Sequence, residues 1–203
     1  MRLSSSVVVM LSSVSLLVLS CSTQRQEQRN VFVHIETELG GIEVAIDLKR
    51  APVTAKNFLE YVHSGHFEGG QFHRTVTLDN QPDNDILIEV IQASVNRDFR
   101  EHGSEPIPLE RTSVTGLKHL DGTVSMARGG PDTATSSFFI CIGDQPSLDF
   151  GGMRNPDGQG FAAFGRVTNG MDAVRQIQQA PAEGQSLTPS VRILSMRVVD
   201  KRD

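Results

Sequence analysis

The chain has no tryptophan, a single tyrosine and an aromatic content of only 5%, carried almost wholly by ten phenylalanines. It holds just two cysteines, Cys21 and Cys141. It has no run of Lys or Arg and no basic stripe, and its formal net charge is -5. That balance excludes nucleic acid as a partner. Glycine, by contrast, is plentiful at 18 of 203 residues, which favours a turn-rich, mixed or β-rich fold over a helical bundle. The length suits one sizeable core and leaves little room for a second domain.

The apolar stretch Val7 to Leu19, broken only by Ser12, Ser13 and Ser15, follows a positive start at Arg2. It has the length of a secretory h-region and is too short to span a bilayer. Residues 1–20 are therefore expected to be a signal peptide. The sequence Val18-Leu19-Ser20-Cys21 resembles a lipobox, with Leu19 where a small residue is usual; plain secretory cleavage is the alternative. Acylation of Cys21 would provide a membrane anchor, and Ser22 after the cysteine fits an outer-membrane address on the periplasmic side of the envelope. Residues 21–30 then form the lipidated Cys and a flexible polar tether. With Cys21 so used, Cys141 is the one remaining thiol, so no intramolecular disulfide can form. Its apolar setting reads as a small buried core residue.

From residue 31 to 201 the pattern is that of one domain. Val31, Val33 and Ile35 alternate with polar neighbours, as do Ile42, Val44 and Ile46 after a turn expected at Gly40-Gly41. Pro52 opens a helix with Val53, Phe58, Leu59 and Val62 on one side and Gly65 as its stop. Further strands are expected over 72–76, 86–93, 123–126, 137–142, 163–168 and 191–199, with a second helix over 171–179. The expectation is a mainly β fold, a closed antiparallel eight-stranded β-barrel capped by two α-helices.

Four motifs in order carry a family resemblance: Phe72-His73-Arg74 after a helix, Ser125-Met126-Ala127 in its loop, Ser137-Phe138-Phe139-Ile140, and Phe161 to Val167. They resemble the cyclophilin-type peptidyl-prolyl cis-trans isomerases over roughly residues 32–199. Asn155 to Gly160 looks like the longer loop of one bacterial branch. The resemblance implies that Arg74 takes the place of the catalytic arginine and Gln92 that of the active-site glutamine. It places Ala127, Arg128, Phe139, Leu148 and Phe161 in the substrate groove, and implies a monomer acting on proline-containing polypeptides without cofactor or metal. Its departures are Glu89 and Val90 at apolar pocket positions, Ser137 and Ser147 in the groove, and the polar insert 77–85. A carboxylate in a proline slot is costly to desolvate, so Glu89 is expected either to turn outward to solvent because the insert reshapes its strand, which is the favoured reading, or to stay in the slot and favour a basic residue near the proline.

Those residue types suit the chemistry. Rotation about an X-Pro bond breaks no bond; it must overcome amide resonance of about 18–20 kcal/mol. It needs an apolar slot for the ring and a donor aimed at the nitrogen as it becomes pyramidal. Taken singly, Arg74 would be a surface charge and Phe139 plain core; the ordered motifs reverse both readings. His63, His66 and His73 lack a metal-ligand pattern, and Asp79, Asp83 and Asp85 lack the glycine turn and closing Glu of a calcium loop. The rival function is a proline-peptide binding module or chaperone with weak catalysis. A purely structural lipoprotein would leave Arg74 and Gln92 beside an apolar slot without a reason.

Overall fold

The computed structural model describes residues 31–102 and 105–199; Cys21 with its leader and tether lies outside the described residues. The alternating segment near the start becomes a hairpin of β1 (Val31–Thr37) and β2 (Gly40–Ile46). Val33 faces Val44 and Ile35 faces Ile42 across it, all four fully buried. The turn falls at Glu38-Leu39, not at Gly40-Gly41. Thr37 Oγ1 donates to the Gly40 carbonyl (2.7 Å) and accepts from the Leu39 N–H (3.1 Å), which closes the chain two residues early. The glycines serve the strand instead: a Cβ on Gly41 would stand 2.8 Å from the His34 ring.

Pro52 is the first residue of α1 (Pro52–His63), where its fixed φ and missing N–H cost nothing. The cap comes from far along the chain. The Glu110 carboxylate accepts from the N–H groups of Val53 (3.1 Å) and Thr54 (2.8 Å) and from Thr54 Oγ1 (2.6 Å), which suits the positive end of the helix. Ala55, Phe58, Leu59 and Val62 are buried, while Val53, expected inward, stays exposed.

The chain then lays down β3 (Gln71–Val76), β4 (Val90–Ser94), a four-residue helix α2 (Thr112–Thr115), β5 (Thr123–Met126), β6 (Phe138–Cys141), β7 (Ala162–Asn169), α3 (Met171–Gln178), β8 (Ala182–Glu183) and β9 (Ser186–Val199). Strands run in the order β1-β2-β7-β5-β6-β4-β3-β9, and β9 pairs back onto β1. Eight antiparallel strands thus close into a barrel, which leaves no free edge, and β8 is a two-residue partner to the start of β9. Helix α1 packs on β9 and β7, and α3 on β2, β3 and β4.

Two strands differ from expectation. The strand expected over 86–93 begins only at Val90, because the buried Gln81 side chain competes for the backbone before it. Its amide donates to the carbonyls of Thr77 (2.7 Å) and Ile88 (2.8 Å) and accepts from the Ile88 N–H (3.3 Å). The final strand begins at Ser186, earlier than expected, through its hairpin with β8. Inside the barrel, Phe58, Phe67, Phe72, Phe138 and Phe164 form a ring cluster; Phe58 meets Phe138 edge-on at 5.4 Å and Phe164 at 5.0 Å. Each such buried side chain contributes about 1.5–3 kcal/mol. A second, smaller apolar cluster of Val76, Ile88, Val90, Phe139, Cys141 and Leu148 lies apart from the first, with Ala127 and Phe161 packed against it.

Candidate active site

The strand β3 carries a β-bulge that decides where Arg74 points. Phe72 pairs with Ala93 of β4 and Arg74 with Gln92, so His73 is one residue too many on that side. In a regular strand residues 72 and 74 share a face. The bulge separates them: Phe72 fills the barrel interior, and Arg74 lines an outer cleft of about 390 Å³.

Cross-strand pairing then explains the contact with Gln92. Arg74 Nη1 donates to Gln92 Oε1 at 2.9 Å. Its Nε and Nη2 both donate to Gln185 Oε1, at 3.0 and 2.6 Å. Gln185 is fixed in turn, since its Nε2 donates to the Asn80 carbonyl at 3.0 Å, and Asn80 Nδ2 donates to the carbonyls of Thr75 and Gly184, both at 3.1 Å. A guanidinium has five N–H donors, so this frame leaves two of them for a ligand. Burial pushes the Arg74 pKa down, and repulsion from Arg154 adds to it; an arginine starts so high that it stays charged.

The same cleft is lined by Ile88, Val90, Ala127, Phe139, Leu148 and Phe161. Phe139 and Phe161 meet edge to face at 5.5 Å, making two walls of an apolar slot. Behind Phe139 lies a buried polar relay. The His119 ring stacks on Phe139 with centroids 6.0 Å apart. Its Nδ1 stands 2.8 Å from Asp149 Oδ1 and its Nε2 stands 2.9 Å from Ser125 Oγ. An ionised carboxylate accepts, so the proton belongs on Nδ1. This is the connectivity of a hydrolytic triad, but Ser125 is fully buried and cannot meet a substrate. The relay props Phe139 from behind.

A family comparison decides what such a cleft belongs to. The model of the cyclophilin type peptidyl-prolyl cis-trans isomerase/CLD family matches residues 32–198. The chain is a member of that family. Among its relatives, peptidyl-prolyl cis-trans isomerase A of Dickeya dadantii is 36% identical over 152 residues, which is 74% of this chain and 73% of the relative. A Streptomyces antibioticus peptidyl-prolyl cis-trans isomerase is 35% identical over 72% of this chain and 82% of its own length. A solved cyclophilin-type isomerase of Cryptosporidium parvum superposes with a TM-score of 0.68 at 21% identity, covering 85% of this chain and 99% of that one.

In this cyclophilin the residues expected at the site, Arg74, Gln92, Ala127, Arg128, Phe139, Leu148 and Phe161, all line the one cleft. Arg128 is locked there: its side chain is 1% exposed, bonds Asp157 at 2.7 Å, and lies 4.9 Å above the Phe161 ring. Glu89 turns away from the cleft as expected and, partly exposed, meets helix α3; Gln178 Nε2 donates to its Oε1 at 3.1 Å. Ile88 and Val90 on either side of it face the cleft. Ser137 and Ser147 act through their backbone, accepting from the N–H groups of Ala127 (2.9 Å) and Arg154 (3.2 Å). Sequence reasoning missed Gln185, Arg154 and Ile88. Only Arg154, directly before the longer loop noted at Asn155 to Gly160, left a signal that could have been followed. Cys141 is fully buried, and burial pushes its thiol pKa up, which makes it inert.

Proposed function

We propose that Arg74 is the transition-state donor of a peptidyl-prolyl cis-trans isomerase whose clients are exported polypeptides. The reaction class follows from the family; the residue roles are our reading, which the lining of the cleft supports. The proline ring enters between Phe139, Leu148 and Phe161, where burying it draws the X-Pro bond to the rim. As the amide twists, its nitrogen gains a lone pair, and a spare N–H of Arg74 donates to it. That bond exists only in the twisted state, so it lowers the barrier without tightening the ground state. Speeding a rate from ~0.01 to ~10 per second takes about 4 kcal/mol, and one preorganised donor supplies about 2.7–4 kcal/mol in comparable sites. Gln92 and Gln185 hold the guanidinium so that it reorganises little. A second Cryptosporidium parvum structure, solved in the presence of the dipeptide Ala-Pro, shares the fold with a TM-score of 0.67, which supports proline peptides as the ligand class.

The observation that carries this reading is a framed guanidinium with two free N–H groups beside an apolar slot. A proline-isomerisation assay tests it. Arg74→Ala should lose about 10²–10³ in rate while staying folded, and Arg74→Lys should recover little, because it lacks the planar fork. Near-normal turnover in folded Arg74→Ala overturns the assignment. Wild type that binds proline peptides without turning them over favours the binding-module reading.

The export motif adds a location. On our reading the mature chain is a monomer held at the periplasmic face of the envelope by lipid on Cys21. In a bacterial host, wild type should fractionate with membranes and Cys21→Ser should be soluble or unprocessed; a free Cys21 thiol on a soluble product rules out the anchor.

A further inference from the structure

Three guanidinium groups border the cleft, and their hydrogen bonds set them apart. Arg128 is used up: Asp157 takes bonds from Nη1 (2.7 Å) and Nη2 (2.9 Å), the Gly160 carbonyl takes Nε (2.8 Å) and Nη2 (2.6 Å), and the Gly129 carbonyl takes the other Nη1 donor (3.3 Å). Arg74 is framed by two glutamine side chains, which hold it without neutralising it. Arg154 rises from the loop between Leu148 and Phe161. Its backbone N–H is fixed to the Ser147 carbonyl at 3.2 Å, and its Nη1 reaches the Ile86 carbonyl at 2.7 Å, just ahead of β4. Among the described residues that single side-chain bond leaves four of its N–H donors over.

Among the described residues no carboxylate forms an ion pair with Arg74 or Arg154. The acidic side chains nearby are committed elsewhere: Asp157 to Arg128, and Glu89 to Gln178 on α3. Asp83 and Asp85 of the insert are exposed. The two uncompensated cations are close enough that Arg154 helps depress the Arg74 pKa. The cleft is therefore locally positive on a protein whose formal net charge is -5. Holding like charges together beside an apolar slot is unfavourable until an anion joins them. A planar fork with free N–H groups matches a carboxylate in both charge and geometry.

We propose that Arg154 makes this cleft select X-Pro segments that carry an Asp or Glu side chain next to the proline. The inference rests on the isomerase reading above, because it takes the proline ring to sit between Phe139, Leu148 and Phe161. Arg154 is then a specificity residue: it takes hold of the neighbouring carboxylate while Arg74 is left for the bond that rotates.

Two sets of short peptides test this, with Asp, Ala or Lys placed either before or after the proline. Each is measured twice on the mature domain, for isomerisation kcat/KM and for equilibrium affinity. In one of the two positions the Asp peptide should exceed its Ala counterpart by about fivefold to tenfold in both readouts, equivalent to about 1–1.4 kcal/mol, with Lys weakest. The advantage should shrink as salt rises from about 0.05 to 0.5 M, because the cleft is open to screening. Arg154→Gln should bring the Asp-to-Ala ratio close to one, and Arg154→Lys should keep only part of it, since it retains the charge but not the planar fork. Equal affinities for Asp, Ala and Lys peptides in wild type, a ratio indifferent to salt, or an undiminished ratio in folded Arg154→Gln each overturn the proposal. Should Arg154→Gln fail to fold, the wild-type peptide and salt series decides alone. Acidic preference in binding without turnover of any peptide would remove the isomerase reading and leave this one; equal turnover of every peptide would do the reverse.

Discussion

Phe138 points into the barrel and is fully buried, meeting Phe58, Phe67 and Phe72 edge-on at 5.4, 5.5 and 6.0 Å. Phe139, the next residue of β6, points out of it, with Phe161 before it at 5.5 Å and the His119 ring behind it at 6.0 Å. Nearly equal burial, 0% against 5%, thus serves two purposes. The inner cluster is sealed, so its side chains act on stability alone. The outer cluster is walled by apolar groups but rimmed by Arg74, Gln92 and Arg154, and one side of it opens to ligand. Strands β4 and β6 feed both clusters by simple alternation: Ile91, Ala93, Phe138 and Ile140 face in, while Val90, Phe139 and Cys141 face out.

Truncation on the two faces should separate them most strongly. Phe138→Ala should cost about 3–5 kcal/mol of stability, because a closed aromatic cluster relaxes poorly around a cavity. Phe139→Ala should cost no more than about 2 kcal/mol, since a cleft wall can relax and admit solvent, but should raise KM for proline peptides severalfold. Denaturant midpoints and steady-state kinetics on the pair check both. Equal stability losses with an unchanged KM for Phe139→Ala would erase the distinction between the clusters.

The next contrast lies in what holds the rim. Gln185 touches Arg74 but not the slot, so it is a positioning residue. Gln185→Leu should lower kcat about tenfold, or about 1.4 kcal/mol, with KM little changed, and Gln185→Glu should restore much of it by keeping the acceptor. A fall confined to KM, or equal losses in Leu and Glu variants, would show that Arg74 does not depend on this frame.

These contrasts also mark how far the sequence could be read. The strand pattern of β1 and β2, helix α1 after Pro52 and the barrel class follow from local periodicity and proline geometry. The family resemblance implied seven cleft residues, and the fold brings them together. Which of two adjacent phenylalanines lines the cleft is invisible to composition, because all four residues of β6 are buried. The bulge at His73 leaves no residue-type signature; only pairing against β4 reveals it. Gln185 is 111 residues from Arg74, and a lone glutamine in a Gly-containing turn offers no local cue. The Glu110 cap on α1 was hidden for the same reason. Residues 86–89 misled because their apolar pattern is strand-like while the buried Gln81 amide claims the Ile88 backbone and the Arg154 side chain claims the Ile86 carbonyl.

A subtler contrast is in pH. The five phenylalanines packed in the inner cluster carry no titrating group, whereas the outer cluster rests on Asp149 through His119. Burial pushes the Asp149 carboxyl up, but hydrogen bonds and attraction from His119, with help from Lys118, outweigh it and hold its pKa below the ordinary carboxylate value. A depressed folded pKa means that the stabilisation is fully present above the unfolded value of about 3.9 and is lost as pH falls through the folded value. Below about pH 4 the wild type should therefore lose stability faster than Asp149→Asn, and the gap between the two should close in acid. Parallel melting curves across pH 7 to 3 would mean that the relay contributes nothing through the Asp149 charge.

The smallest expected effect sharpens the boundary of the cleft within a single stretch of chain. Ile88, Glu89 and Val90 alternate: the outer two are buried and face the slot, and the middle one reaches back to Gln178 on α3. A carboxylate in that slot would have to be desolvated or neutralised, and turning it toward an amide on the helix avoids both. The hydrogen bond to Gln178 is part-buried, so its net worth is about 0.5–1.5 kcal/mol. Glu89→Gln retains an acceptor there, so stability should move by no more than about 0.5 kcal/mol and kcat/KM by no more than about twofold, or about 0.4 kcal/mol. Peptide series with Ala, Leu, Lys or Glu before proline should rank alike in wild type and variant. A changed Lys-to-Ala ratio in Glu89→Gln would mean that the Glu89 charge reaches substrate, and that the cleft's field comes from the strand as well as from Arg74 and Arg154.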